Sequence, residues 1–145
     1  MLNDIKNHIK EWIQKISVKQ PALDGYAVCP YAKNAEYEVY ESKGYDIDPP
    51  PWEFELIIYA MPDNLSFDSL DAIATEYNKL YPELVFLPDG KDRHTEINGV
   101  ETSNGKYNLL LCQNRKKLQD ARERLANTPY YSFWNEEYLK EILNQ

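Results

Sequence analysis

A cysteine followed by a proline is the segment of this chain whose residue types are best suited to chemistry. The segment reads Cys29-Pro30-Tyr31-Ala32-Lys33, and Pro30 suits the first position of a short helix because its missing N–H costs nothing there. A thiol just before that helix would face unpaired backbone N–H groups and the positive end of the helix dipole, which both favour the thiolate. Since the thiolate is the nucleophile, the sequence predicts a catalytic set of Cys29, Tyr31 and Lys33, with Lys33 as electrostatic support.

The same cysteine also fits a structural role. Cysteine is among the residue types most often buried, and Cys29 follows the apolar Val28. Cys112 ends an apolar run and fits the core better still. With only two cysteines, a disulfide scaffold and a zinc site built from CxxC pairs are excluded. A Cys29–Cys112 bond is geometrically possible but not expected in a reducing compartment, so a reactive and a buried Cys29 both remain open.

Four stretches show the spacing of apolar side chains that predicts an amphipathic helix. They cover residues 4–16, 67–80, 115–126 and about 132–143. Asn3 is the expected N-cap of the first, the polar segment before Phe67 offers caps for the second, and His8 falls on the polar side of the first helix, where we expect it at the surface. The predicted inward faces are Ile5, Ile9, Trp12, Ile13 and Ile16; Phe67, Leu70, Ile73, Ala74, Tyr77 and Leu80; Leu118, Ala121 and Leu125; and Trp134, Tyr138, Leu139, Ile142 and Leu143.

Four runs predict β-strands, at residues 36–41, 53–60, 84–87 and 107–112. The second is apolar enough at its end to be central, and Asn-Gly pairs before the fourth are hairpin signals. Strand, helix and strand in succession predict a right-handed crossover with parallel pairing. The order of elements favours a single domain of the α/β (α+β) class. We expect a two-layer, ferredoxin-like sandwich in which helices cover one face of a mixed sheet of about four strands.

The cysteine segment resembles two known motifs. Glutaredoxins have Cys-Pro-Tyr-Cys at their active site, but Ala32 replaces the second cysteine here, which excludes dithiol exchange at this motif. The run from Trp12 to Lys33 also resembles an uncharacterised bacterial family, domain of unknown function 1415, in which an N-terminal helix leads into Leu-Cys-Pro-Phe-Ala-Lys.

The resemblance to that bacterial family continues in order through residues 55–59, 67–80, 84–88 and 104–111. This chain lacks two histidines of the family. Leu87 stands where the family's Phe-His-Pro segment has its histidine, and Leu109 or a neighbour stands where the family's last strand has one. The resemblance implies the fold and no activity.

Charge and hydropathy exclude several classes of protein. The chain has 145 residues, a length that suits one domain. Its 16 basic and 24 acidic side chains give a net charge of −8, which disfavours nucleic acid as a partner. No apolar run approaches the roughly 18–20 residues of a membrane span, and the N-terminus lacks the pattern of a secretory signal. We therefore expect a cytoplasmic protein, or one of the host cytoplasm if the gene is viral. One local cluster of basic residues departs from the acidic character of the chain: Arg115, Lys116, Lys117, Arg122 and Arg124.

No pattern in the chain predicts a metal or another cofactor. Asp89, Asp92, His94 and Glu96 crowd one polar loop, but their spacing fits no EF-hand or zinc pattern, and a solvated charged loop is expected. The glycines are scattered and form no phosphate-binding loop.

Two functions from different classes follow. The first is a non-catalytic protein-binding or adaptor module with an aromatic contact surface, to which we assign Tyr45, Trp52, Tyr130 and Trp134, because such rings are enriched at contact sites. The second is a single-cysteine redox protein or enzyme that uses Cys29 at a helix N-terminus. The first is favoured because burial is the commoner role of a cysteine.

Overall fold

Three α-helices and six β-strands make up the part of the chain that the structure describes. The structure is a computed structural model and describes residues 2–23, 26–27, 29, 36–42, 56–97, 99–128 and 130–131. In chain order the elements are α1 (Leu2–Ile16), a 3₁₀ turn (Pro21–Leu23), β1 (Tyr37–Glu41), β2 (Leu56–Ala60), α2 (Phe67–Leu80), β3 (Leu84–Asp89), β4 (Glu96–Ile97), β5 (Val100–Glu101), β6 (Leu109–Asn114) and α3 (Arg115–Ala126).

The main sheet is mixed and has the strand order β1-β2-β6-β3. β1 and β2 are parallel, whereas β6 is antiparallel to both of its neighbours. The α+β class, the mixed four-stranded sheet and the internal position of β2 are thereby confirmed. The predicted direct pairing of the strands before and after α2 is wrong, because β2 and β3 run in the same direction but leave a gap that the apolar β6 fills.

Helices cover both faces of this sheet. α2 packs on the face that includes Ile57 and Leu110, and α1 packs on the opposite face, with Ile58 and Leu109. Successive residues of a strand point to opposite faces, and both sets in β2 and β6 are apolar. Both faces therefore need cover, which is why the helices do not all lie on one face, contrary to the prediction from the sequence.

The helix ends follow ordinary capping chemistry, with two departures from expectation. Ser66 is the N-cap of α2, since its hydroxyl accepts from the backbone N–H of Ser69 at 3.2 Å. α1 already begins at Leu2, so Asn3 lies within the helix and does not cap it. Leu80 is 60% exposed at the last turn of α2, because the apolar stripe has rotated away from the sheet there.

The strand β3 forms one edge of the sheet and continues through Pro88, beyond the predicted end. A proline is tolerated on an edge strand because its missing N–H would have faced outward. Two residues before Pro88, the side chain of Asn78 in α2 covers the same edge at Phe86. Its Nδ2 donates to the carbonyl of Phe86 at 3.1 Å, and its Oδ1 accepts from the Phe86 N–H at 2.7 Å. The amide thus takes the place of a neighbouring strand.

A buried asparagine joins the loops at the end of the sheet where β6 begins. Asn108 is 2% exposed. Its Nδ2 donates to the carbonyls of Pro62 and Leu65, both at 3.0 Å, and its Oδ1 accepts from the N–H of Lys91 at 3.0 Å. One side chain therefore fixes the entry to α2 and the exit from β3.

A second polar network lies beside it. The Oδ2 atom of Asp89 accepts from the backbone N–H and from Nδ2 of Asn104, at 3.1 and 2.8 Å. Burial raises the pKa of Asp89, and the hydrogen bonds from Asn104 act in the opposite direction. His8 is half-buried and not fully exposed: its Nε2 is 3.1 Å from the carbonyl of Asn104, and its ring packs edge-on against Tyr107.

Candidate functional site

A cavity of about 400 Å³ lies on the α1 face of the sheet and is lined by both α1 and α3. We call it the α1–α3 cavity. Its apolar wall consists of side chains from the two helices and from the strands between them: Trp12, Ile13, Ile16, Leu56, Leu111, Leu118 and Ala121. The cavity exists because α3 does not close down on the sheet, since none of its residues is buried.

The tryptophan of this wall is held in place by a hydrogen bond. The Nε1–H of Trp12 donates to the carbonyl of Thr102 at 3.1 Å. A ring whose polar atom is already satisfied presents a defined apolar surface. The α1 side of the cavity is therefore preorganised.

Polar side chains line the cavity on the side of α3. Gln113 follows Leu111 on the same face of β6, and Lys117, Asp120 and Arg124 come from α3. Within the described part of the chain, the side chains of Gln113 and Lys117 have no hydrogen-bond or ion-pair partner. Asp120 is paired, since Lys116 lies 3.8 Å from its Oδ2 one turn back.

α3 carries a positive charge in an acidic protein. It has five basic and two acidic side chains, whereas the whole chain has a net charge of −8. Arg115 is committed to structure, because its Nε donates to the carbonyl of Pro82 at 2.8 Å and its Nη2 to that of Leu84 at 3.1 Å. Lys117 and Arg124 line the cavity, and their positive charge favours an anion there.

The predicted nucleophile lies on the wall of this cavity. Cys29 is half-buried, lines the cavity, and is held by its backbone N–H, which donates to the carbonyl of Ile16 at 2.9 Å. Tyr31 and Lys33, and the short helix predicted to follow Cys29, lie outside the described residues. The assembly of a catalytic set at this motif therefore stays a prediction.

The second cysteine occupies the other face of the sheet. Cys112 is 2% exposed and packs in the core beneath α2, as its apolar neighbours predict. Burial raises the pKa of its thiol to about 12. Because the sheet separates Cys112 from the α1–α3 cavity, the Cys29–Cys112 bond considered from the sequence is wrong for this fold.

Of the four residues predicted to form an aromatic contact surface, the structure describes Tyr130 alone. Tyr130 is 4% exposed and packs edge-on against Tyr26 and Tyr131, with ring centroids 5.8 and 4.9 Å apart. Its ring lies in the interior and does not belong to an exposed surface, contrary to the prediction for this residue. Tyr45, Trp52 and Trp134 lie outside the described residues.

In the polar loop between β3 and β5, the described acidic side chains do not converge on a possible cation site. The carboxylate of Asp89 turns to Asn104, and His94 faces Glu101, with 3.7 Å between Nδ1 and Oε1. Among the described residues, no group of three or more potential ligands is placed to hold a metal ion.

Sequence reasoning missed the cavity as such, although two signals pointed to it. The apolar stripe of α3 has only three residues and is flanked by cations, so it is too weak to seal a helix onto a sheet. Gln113 occupies a position on the inward face of β6, where an apolar residue would be expected.

Comparison with protein-family models, with curated proteins and with solved structures finds no match to this chain. The resemblance to the bacterial family therefore stays a prediction. None of the described helices has the length and apolar character needed to cross a membrane.

Proposed function

We propose that this protein is a non-catalytic module that binds another protein, and that the α1–α3 cavity receives apolar side chains of that partner. The observation that carries the proposal is the cavity itself. Its volume of about 400 Å³ lies within the roughly 300–1,000 Å³ of small-molecule pockets, which leaves room for a few apolar side chains of a partner. Two helices over a sheet form a groove of the kind that accepts an amphipathic helix, and Trp12 is the type of residue that anchors such contacts.

The position of the histidines supports a non-catalytic role. A thiol nucleophile is commonly activated by an adjacent base, and the chain has only two histidines. His8 contacts Asn104 and His94 faces Glu101, and neither lines the cavity that contains Cys29. The proposal places the module in the cytoplasm, where two unbridged thiols are the common state.

A pair of substitutions on one helix tests the proposal. Ala121→Trp fills the cavity, whereas Gln119→Trp adds the same ring at an exposed position of α3 outside the cavity lining. Peptides would be enriched on the wild-type protein from a random displayed library, and their affinities for the three proteins measured by fluorescence anisotropy. We expect Ala121→Trp to weaken binding about tenfold or more, as loss of a buried anchor does, and Gln119→Trp to leave it unchanged.

The same experiment can contradict the proposal in two ways. Failure of the wild-type protein to enrich any peptide would argue against a protein-binding module. Equal affinities for all three proteins would place the contact outside the cavity. Circular dichroism of both variants shows that a loss of binding does not come from unfolding.

A second function, a reaction of the Cys29 thiol, is favoured by its place on the cavity wall. Alkylation by iodoacetamide across a pH series, read by mass spectrometry, tests it with Cys112 as an internal control. A functional thiolate would react in the native protein with an apparent pKa below the ordinary value of about 8.5, while Cys112, with its pKa raised to about 12, stays unmodified. An ordinary titration of Cys29, or reaction only after denaturation, would exclude this function.

A further inference from the structure

We infer that the partner segment is acidic as well as apolar: an amphipathic helix whose apolar side chains enter the α1–α3 cavity and whose carboxylates meet Lys117 of α3. The inference rests on the proposed function, because it names the chemistry of the partner at the same cavity.

Lys117 is a cation of α3 that a partner at the cavity can reach. Arg115 is bound to two backbone carbonyls, and Lys116 pairs with Asp120. Lys117 lines the cavity and is exposed, and within the described residues its ammonium group has no partner. A cation beside an apolar cavity is placed to bind a carboxylate while the cavity takes the neighbouring apolar side chain.

Lys117 lies next to other cations at the N-terminal end of α3. The first turn of α3 contains three basic residues and no acidic one. The N-terminal end of a helix already has positive potential, so cations there repel it and destabilise the helix modestly. A carboxylate at the cavity would relieve that repulsion, which adds to its attraction for Lys117.

The polarity of the cavity favours an acidic helix over a nucleic acid, whose affinity depends on many phosphate contacts. The described lining of the cavity includes two cations, Lys117 and Arg124. The cavity wall is instead mostly apolar and is bounded by two helices. Apolar anchors spaced along one face of a helix, with acids beside them, complement both the wall and the charge.

Three displayed peptide libraries test the inference. All contain helical peptides of about 12 residues with Leu, Ile, Phe or Trp at the i, i+3, i+4 and i+7 positions, and the remaining positions are acidic, neutral or basic. We expect the wild-type protein to enrich the acidic library above the other two. The affinity of the enriched peptides should fall as salt is raised, since the contacts with Lys117 are screened.

Two charge reversals provide the control. Lys117→Glu should weaken the acidic peptides by about tenfold or more, because like charges then meet at the cavity, and should increase enrichment of the basic library. Lys79→Glu changes the net charge equally, but Lys79 is exposed on α2, across the sheet from the cavity, and we expect it to behave as the wild type.

The outcomes distinguish this inference from the function on which it rests. If acidic and neutral libraries bind equally and Lys117→Glu alters neither, the binding function stands and the acidic partner is wrong. If Lys79→Glu weakens binding as much as Lys117→Glu, net charge and not the cavity is responsible, which also overturns the inference. If no library binds, while decanoate displaces an apolar dye from the wild type but not from Ala121→Trp, the occupant is a small amphiphile and both proposals fail.

Discussion

Replacing Asn108 by leucine should be among the most destabilising changes in this protein. Leucine has a shape close to that of asparagine, so it leaves little empty space. It removes all three side-chain hydrogen bonds, which join Asn108 to Pro62, Leu65 and Lys91. The experiment therefore measures the polar contacts rather than packing.

The size of the effect follows from the burial of the three orphaned groups. The bond to Leu65 is buried, whereas those to Pro62 and Lys91 are partly buried, so water can replace a share of the latter. An unsatisfied buried group costs about 1–3 kcal/mol, and we expect a total loss of about 3–5 kcal/mol. A folded domain has about 5–15 kcal/mol of stability, so the variant should still fold but melt roughly 10–20 °C lower.

Urea unfolding followed by circular dichroism measures the loss, with Asn64→Leu as the control. Asn64 is exposed in the loop that Asn108 binds, and its replacement should change stability by no more than about 0.5 kcal/mol. Asn108→Asp adds a pH signature: its carboxylate would face two carbonyls, so the variant should gain stability on acidification, relative to Asn108→Leu. A loss below about 1 kcal/mol for Asn108→Leu would refute the reasoning that these bonds hold the loops.

Three further outcomes follow from the fold. Ile9→Ala, at a side chain with 0% exposure, should cost about 2–4 kcal/mol in urea unfolding, and a loss under about 1 kcal/mol would show that α1 packs loosely. Because the pKa of Asp89 is raised in the folded state, its contribution to stability is full below about pH 4, where an unfolded aspartate titrates, and is lost as the pH rises through the folded pKa. Asp89→Asn keeps an acceptor for both Asn104 bonds and cannot ionise, so the variant should match the wild type below about pH 4 and become the more stable of the two as the pH rises; a difference in unfolding free energy that does not change with pH would contradict the assignment. Asn78→Ala uncovers the edge of β3 at Phe86 and should increase light scattering at high concentration, which an unchanged scattering signal would rule out.

Local patterns predict most elements of the fold, because helices and strands depend on residues near one another in the chain. The apolar spacing of α2 and its cap at Ser66 are examples, as is the apolar run of β2. The insertion of β6 between β2 and β3 could not be predicted in this way, since a gap in a sheet depends on strands about 50 residues apart. The second helical layer was predictable in principle, because both faces of β2 are apolar.

The candidate site was predicted in part. The sequence drew attention to Cys29, which does lie on a cavity wall, and to the basic cluster that includes Lys117. It gave no sign that the two face the same cavity, because that depends on where α3 lies relative to the α1 face of the sheet. Tyr130 shows the opposite failure, since composition suggests contact surfaces for tyrosine while three-dimensional packing places this ring inside.

The position of β6 has a consequence for how the chain folds during synthesis. β2 and β3 each present a bare edge to the gap until residues 109–114 arrive to fill it. A nascent chain that has emerged only as far as β5 therefore holds two aggregation-prone edges but cannot complete its sheet. Contacts between distant residues also slow folding. The final step of folding the described sheet should thus wait for β6, and stalled or truncated chains should depend on chaperones more than the finished protein does.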